Sequence, residues 1–333
     1  MASGEILIKL FKAFKDNDDV EFSKIAFDII EEEKRKNHNL LAMKLNKIMF
    51  DESNKYYPKK NTINNKKQIP IDRDTGIELL DVKFTQKALN DVILSNENQE
   101  KINNIINEYF NRDILKTYKL SPKTKILFCG PPGCGKTITA EAIASELQIP
   151  LLYTRFDSIV SSLLGETSTN LRKVFDFAKN GEWVLFFDEF DSIGKSREYM
   201  SEHSELKRVV NSYLQLMDNF NSDTIIISAT NYETMIDKAL WRRFDEIIFF
   251  DKPTESDILR LLEKKFKSIN YKGIDLNKYV LKFSGMAFSD IDRTCREAIK
   301  QMVLTNSDRL TDTILTKVIN NEIKRRELIE NNI

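Results

Sequence analysis

The chain has 333 residues, with 51 Lys or Arg against 51 Asp or Glu, so its formal net charge is zero and no global pull toward nucleic acid or an acidic membrane surface is expected. No run of about 18 apolar residues occurs that would span a membrane, and no basic stretch precedes a long apolar one at the start, so a cytoplasmic location is the expectation. Three cysteines (Cys129, Cys134 and Cys295) make no disulfide framework, and two histidines (His38 and His203) without a His-Glu-x-x-His spacing exclude a zinc protease centre in this chain.

The first elements are helical. Leu7, Leu10, Phe11 and Phe14 recur at helical spacing, and Asp16-Asn17-Asp18-Asp19 then supplies a turn and a cap. Phe22, Ile25, Ala26 and Ile29 mark a second helix, and Leu41, Leu45 and Ile48 a third. Residues 1–50 therefore predict a small helical bundle with so slight a core that it leans on a partner. Residues 51–76, rich in Asn and Lys between Pro58 and Pro70, have no apolar period and read as a flexible linker. Ile77 to Phe84 predict an edge strand that opens the main domain, residues 77–252.

The most informative segment follows. Lys125 to Cys129 is a short apolar run, as expected of a buried parallel strand. It feeds Gly130-Pro131-Pro132-Gly133-Cys134-Gly135-Lys136-Thr137, which has the spacing of a phosphate-cradling loop. Glycines let successive backbone N–H groups turn inward and form an anion nest. Lys136 offers a mobile charge to the outer phosphates, and the Thr137 hydroxyl suits a bound Mg²⁺. Cys134 reads as a small filler of the loop. Ile138 to Leu147 then read as a helix with Ala140, Ile143, Ala144 and Leu147 on one face, so its N-terminus points at the phosphates. Pro132, Gly133, Cys134, Gly135, Lys136 and Thr137 are the expected residues binding a nucleotide triphosphate here.

A second strand, Trp183 to Phe187, ends in Asp188 and Glu189, two carboxylates after a continuous apolar run. Asp188 is positioned to hold Mg²⁺ and Glu189 to polarise the attacking water. Glu202-His203-Ser204-Glu205 reads as a solvated loop or a second pore loop. A third strand, Thr224 to Ala229, leads to Asn231, whose amide suits orientation of that water. Arg242 and Arg243 then stand side by side, and guanidinium groups match the charge spread over γ-phosphate oxygens in the transition state. From residue 253 to 333 the pattern is helical: Ile258, Leu261 and Leu262, then Ile291 to Met302, then Leu310 to Leu328. The fold expected is α/β: a doubly wound parallel-sheet P-loop NTPase domain with a C-terminal helical lid and a small N-terminal helical bundle.

Over about residues 88–325 these motifs resemble the AAA group of AAA+ ATPases. Gly130 to Thr137 stands as Walker A, Val184 to Glu189 as Walker B, Asn231 as sensor 1, and Arg242 with Arg243 as paired arginine fingers. The lack of a glycine between those arginines and Phe244 is similar to the katanin and spastin branch. The resemblance implies that Asp91, Val92 and Ile93 read the adenine edge, although the group's following glycines are absent. Gly285-Met286-Ala287-Phe288-Ser289-Asp290-Ile291 stands for the group's lid motif, with Phe288 in place of a glycine near the nucleotide. It also implies a ring, six-membered, in which the arginines complete a neighbour's site. In the stretch Ile159 to Glu166, Leu163 replaces the aromatic with which threading machines grip polypeptide in the pore.

Function is thereby narrowed to Mg²⁺-dependent ATP hydrolysis coupled to remodelling of a protein partner through the bundle or the pore. The whole chain is also similar to bacterial AAA ATPases encoded beside subtilisin-like proteases, some thought to act in phage defence. That resemblance implies an alternative, regulator or immunity partner of a separate serine protease. A nucleotide-switched scaffold with slow turnover is a third reading.

Overall fold

A computed structural model describes residues 4–15, 22, 25, 28–29, 69–72, 75–154, 159, 164–189, 203–231 and 241–330. The chain divides into two compact units, Met1–Lys66 and Lys67–Ile333. In the first, helix α1 spans Gly4–Lys15 and buries Ala13, while Phe11, read as part of the apolar face, is exposed. Residues 22, 25, 28 and 29 are helical, with Ile25 buried and Asp28 exposed, as expected from the second period. The third predicted helix and residues 51–66 lie outside the described residues.

In the second unit a six-stranded sheet takes the order β1-β3-β4-β5-β2-β6. The strands are β1 (Leu80–Lys83), β2 (Lys125–Cys129), β3 (Leu151–Thr154), β4 (Val184–Phe187), β5 (Ile225–Thr230) and β6 (Glu246–Phe249). All pairings are parallel except that of β1, the edge strand, which runs antiparallel to β3. The apolar runs of β2, β4 and β5 are buried on both faces because helices cover both sides. Leu127, Cys129, Leu185 and Phe187 point to a core shared with α5 (Leu164–Ala178) and α6 (His203–Asp218). Ile126, Phe128, Val184 and Phe186 point the other way, to a core shared with α2 (Asn96–Phe110) and α4 (Lys136–Glu146). The doubly wound α/β reading is what the chain adopts.

A third core belongs to helices α7 (Glu255–Phe266), α8 (Asn277–Val280), α9 (Phe288–Leu304) and α10 (Asp312–Glu330). A Thr254–Asp257 capping box starts α7. A short helix, α3 (Arg112–Thr117), follows α2, and Arg112 ties it to Glu182 and Asp223 at 2.8 and 3.5 Å. Among the described residues, no helix is long and apolar enough to cross a membrane.

Two boundaries differ from the sequence reading. Residues 69–76, assigned to the linker, include a folded part: Ile71 bridges Glu78, Ile69 packs on the sheet core, and Asp72 is buried and accepts from Asn170 Nδ2 at 2.6 Å. The Asn/Lys composition hides this, because its contact lies about a hundred residues away in sequence. His203, placed in a loop, begins α6, whose Tyr213, Leu214 and Met217 are held by the core.

Candidate nucleotide site

The carboxyl ends of β2, β4 and β5 lie side by side, with Cys129 paired to Thr230 and Phe187 to Ser228. The residues that follow these ends are Gly130, Asp188 and Asn231, so the register alone gathers the three motifs at one rim. Gly130 leaves β2 at φ 141°, where a Cβ would stand 2.0 Å from the Phe250 carbonyl oxygen. The loop runs into α4, which starts at Lys136 and so exposes its N-terminal amides to the loop. Its start lies two residues before the predicted one, and it buries Thr139 and Ala142 besides the predicted face, because it is enclosed by neighbours on several sides.

The side chains converge. Lys136 is buried, and its ammonium donates to Gly130 O at 2.6 Å, Pro131 O at 3.0 Å and Asn231 Oδ1 at 2.8 Å. Thr137 Oγ1 donates to Asp188 Oδ2 at 3.0 Å, and the Tyr153 hydroxyl donates to the same oxygen at 3.1 Å. Asp188 Oδ1 accepts from the Glu189 N–H at 2.9 Å. Glu189 itself has φ 51°, a left-handed backbone unusual outside glycine, and its side chain is exposed at the rim. The oxygens of Thr137 and Asp188 form the donor chemistry that a hard divalent cation takes alongside phosphate oxygens and water. Among the described residues no three His, Cys, Asp or Glu form a cage on their own. Cys134 is buried, and desolvation pushes its thiol pKa up, consistent with a filler of the loop.

The lid reaches this loop. The Ser289 N–H, at the start of α9, donates to Gly133 O at 3.0 Å. Gly133 has φ 75°, and a Cβ there would stand 2.2 Å from Ser289 Oγ, so glycine permits the close approach. Ala287 packs with the sheet core, whereas the Phe288 ring packs on the lid core. The predicted adenine segment lies where the two meet. Asp91 ends a short 3₁₀ turn (Leu89–Asp91), Val92 packs on the sheet core and Ile93 on the lid core. Lys264 of α7 bonds Asn90 O at 2.6 Å and Asp91 Oδ1 at 3.0 Å, and its ammonium holds the Asp91 carboxyl below its ordinary pKa.

Arg242 and Arg243 are not brought to the loop. Asp245 accepts from the N–H groups of Thr124 and Lys125, at the amino end of β2, and Arg243 pairs with Asp218 at the end of α6. Both arginines thus lie toward the opposite rim of the sheet, with Arg242 exposed. Leu163 lies outside the described residues. The sequence reading missed Tyr153 and Lys264, and had Ser289 only as one letter of the motif Gly285 to Ile291. A phenol at the end of the short apolar strand Leu151–Thr154 was the one available signal for Tyr153.

A mostly parallel sheet in which an interior strand enters a glycine loop capped by a helix, one strand away from a strand ending in Asp-Glu, defines a P-loop nucleotide hydrolase. Residues 126–252 match the family of ATPases associated with various cellular activities (AAA). Over 326 residues the chain is 36% identical to a protein of Sinorhizobium fredii (strain NBRC 101917 / NGR234) described as "Uncharacterized AAA family ATPase y4kL", covering 98% of this chain and 97% of that one. The chain belongs to the AAA family and is an ATP-binding ATPase.

Proposed function

We propose that the chain is a ring-forming, Mg²⁺-dependent ATPase, six-membered when assembled, that spends hydrolysis on remodelling a protein partner. The observation that carries the shared-site reading is the distance in the fold between Arg242–Arg243 and the loop of the same chain, since β2 and β6 run parallel. A nucleotide cradled by Gly133, Cys134, Gly135, Lys136 and Thr137 therefore draws its arginines from a neighbour. Magnesium, when bound, neutralises phosphate charge, and Thr137 with Asp188 would hold it. Pro132 shapes the loop, while the backbone of Asp91, Val92 and Ile93 lies where a base could be read. Glu189 takes the proton side of the water attack and Asn231, now bonded to Lys136, orients that water.

Mixing tests this. Glu189→Gln alone, and the double variant Arg242→Ala/Arg243→Ala alone, should each lose at least about 10² in turnover. Mixed together they should regain activity, because some interfaces pair an intact glutamate with intact arginines. A mixture that stays as inactive as either variant alone, or a double variant that by itself hydrolyses ATP at the wild-type rate, sinks the shared-site reading. The partner is read from turnover: stimulation by one protein supports remodelling, stimulation by a subtilisin-like protease supports the regulator reading, and nucleotide-dependent assembly with negligible turnover supports a scaffold.

A further inference from the structure

On the reading that Asp188 holds Mg²⁺, we propose that Tyr153 is a positioning residue for that metal, and that Lys83 of the edge strand holds Tyr153 in place. The Asp188 carboxylate takes three described hydrogen bonds, from the Thr137 hydroxyl, the Glu189 N–H and the Tyr153 hydroxyl. The first comes from the opening turn of α4 and the second is local to its own backbone. The phenol alone ties Oδ2 to a different strand of the rigid sheet, β3, next to β4. A terminal carboxylate torsion is broad, so an anchor on the neighbouring strand decides where its oxygens wait.

The anchor is itself seated. The Tyr153 ring lies 5.7 Å from that of Phe186, and the Lys83 ammonium stands 3.8 Å from its centroid. Lys83 pairs with Leu151 across the β1–β3 ladder, which puts it diagonal to Tyr153. A cation over the ring face attracts it and draws electron density from the phenol, making its O–H a better donor. Packing alone would be served equally by phenylalanine, as Phe128 and Phe186 serve it on the same face. The hydroxyl is thus the part that needs a purpose, and Asp188 is what it meets.

The test uses the full chain, in excess over a non-hydrolysable ATP analogue, with Mn²⁺ titrated and read by electron paramagnetic resonance. Analogue affinity in EDTA and melting temperature are measured on the same samples. Tyr153→Phe should weaken Mn²⁺ binding about tenfold, the size of one hydrogen bond to a charged group, and leave the EDTA affinity unchanged. Lys83→Met should shift Mn²⁺ in the same direction by less. Asp188→Asn is the reference. If it leaves Mn²⁺ binding intact, the metal reading fails and the proposal falls with it. If it weakens Mn²⁺ while Tyr153→Phe does not, or Tyr153→Phe weakens the analogue equally in EDTA, the proposal alone is overturned. Should Tyr153→Phe melt early, an unchanged Mn²⁺ affinity in Lys83→Met overturns it instead.

Discussion

Gly130 shows how narrowly the site is built, since a methyl group there would stand 2.0 Å from the carbonyl oxygen of Phe250. Backbone, not a flexible side chain, blocks that space, so Gly130→Ala must push β6 away from β2 or distort the loop. The expected loss is about 3 kcal/mol, measured as a lower guanidinium midpoint at constant slope. An unchanged midpoint would mean that the close approach is not kept in solution. At this scale the sequence was most legible where partners follow a spacing rule, as from Gly130 to Thr137 and at Asp188-Glu189. Tyr153 obeys no such rule. Its partner is 35 residues away, and only the pairing of β3 with β4 brings the two together.

Among the elements, α9 and α10 are joined by Arg293. Its guanidinium donates to Asp290 Oδ1 at 2.8 Å and to both oxygens of Glu322, one at 3.2 Å, and Glu322 is buried. Arg293→Ala leaves that carboxylate only the guanidinium of Arg325 at 3.7 Å, at a cost of about 2 kcal/mol, so these helices should melt earlier than in wild type. Arg293→Ala/Glu322→Leu, which removes both charges, should recover most of the loss, and failure to recover would mean that the guanidinium matters elsewhere. The lid helices were visible from their period, because Ile258, Leu262, Ile291 and Leu315 face a single core. Helix α4 was visible only in part. Small residues on several of its sides are buried, so its boundary and enclosure left a weak periodic trace.

For the molecule as a whole, the division at Lys66–Lys67 makes a prediction about where the ATPase begins. A chain starting at Lys67 should keep the melting transition and nucleotide affinity of Lys67–Ile333 within the full protein. A chain starting at Ile77 loses Asp72, whose carboxylate accepts from Asn170 and from the Thr75 N–H at 2.8 Å, and should be about 2 kcal/mol less stable. Equal stability of the two truncations would return residues 67–76 to the linker. What the amino-acid order determined unaided was local: the strand, glycine loop and helix around Lys136, the acid-tipped strand, and the apolar faces of the lid. Each is a contiguous pattern whose chemistry depends on neighbours a few residues away. The strand order decided the rest. By placing β2 between β5 and β6, and β3 beside β4, it carries Asn231 to Lys136 and Tyr153 to Asp188, and leaves Arg242 and Arg243 toward the far rim. Those meetings depend on how two cores pack on opposite faces of one sheet, and no one-dimensional period records that.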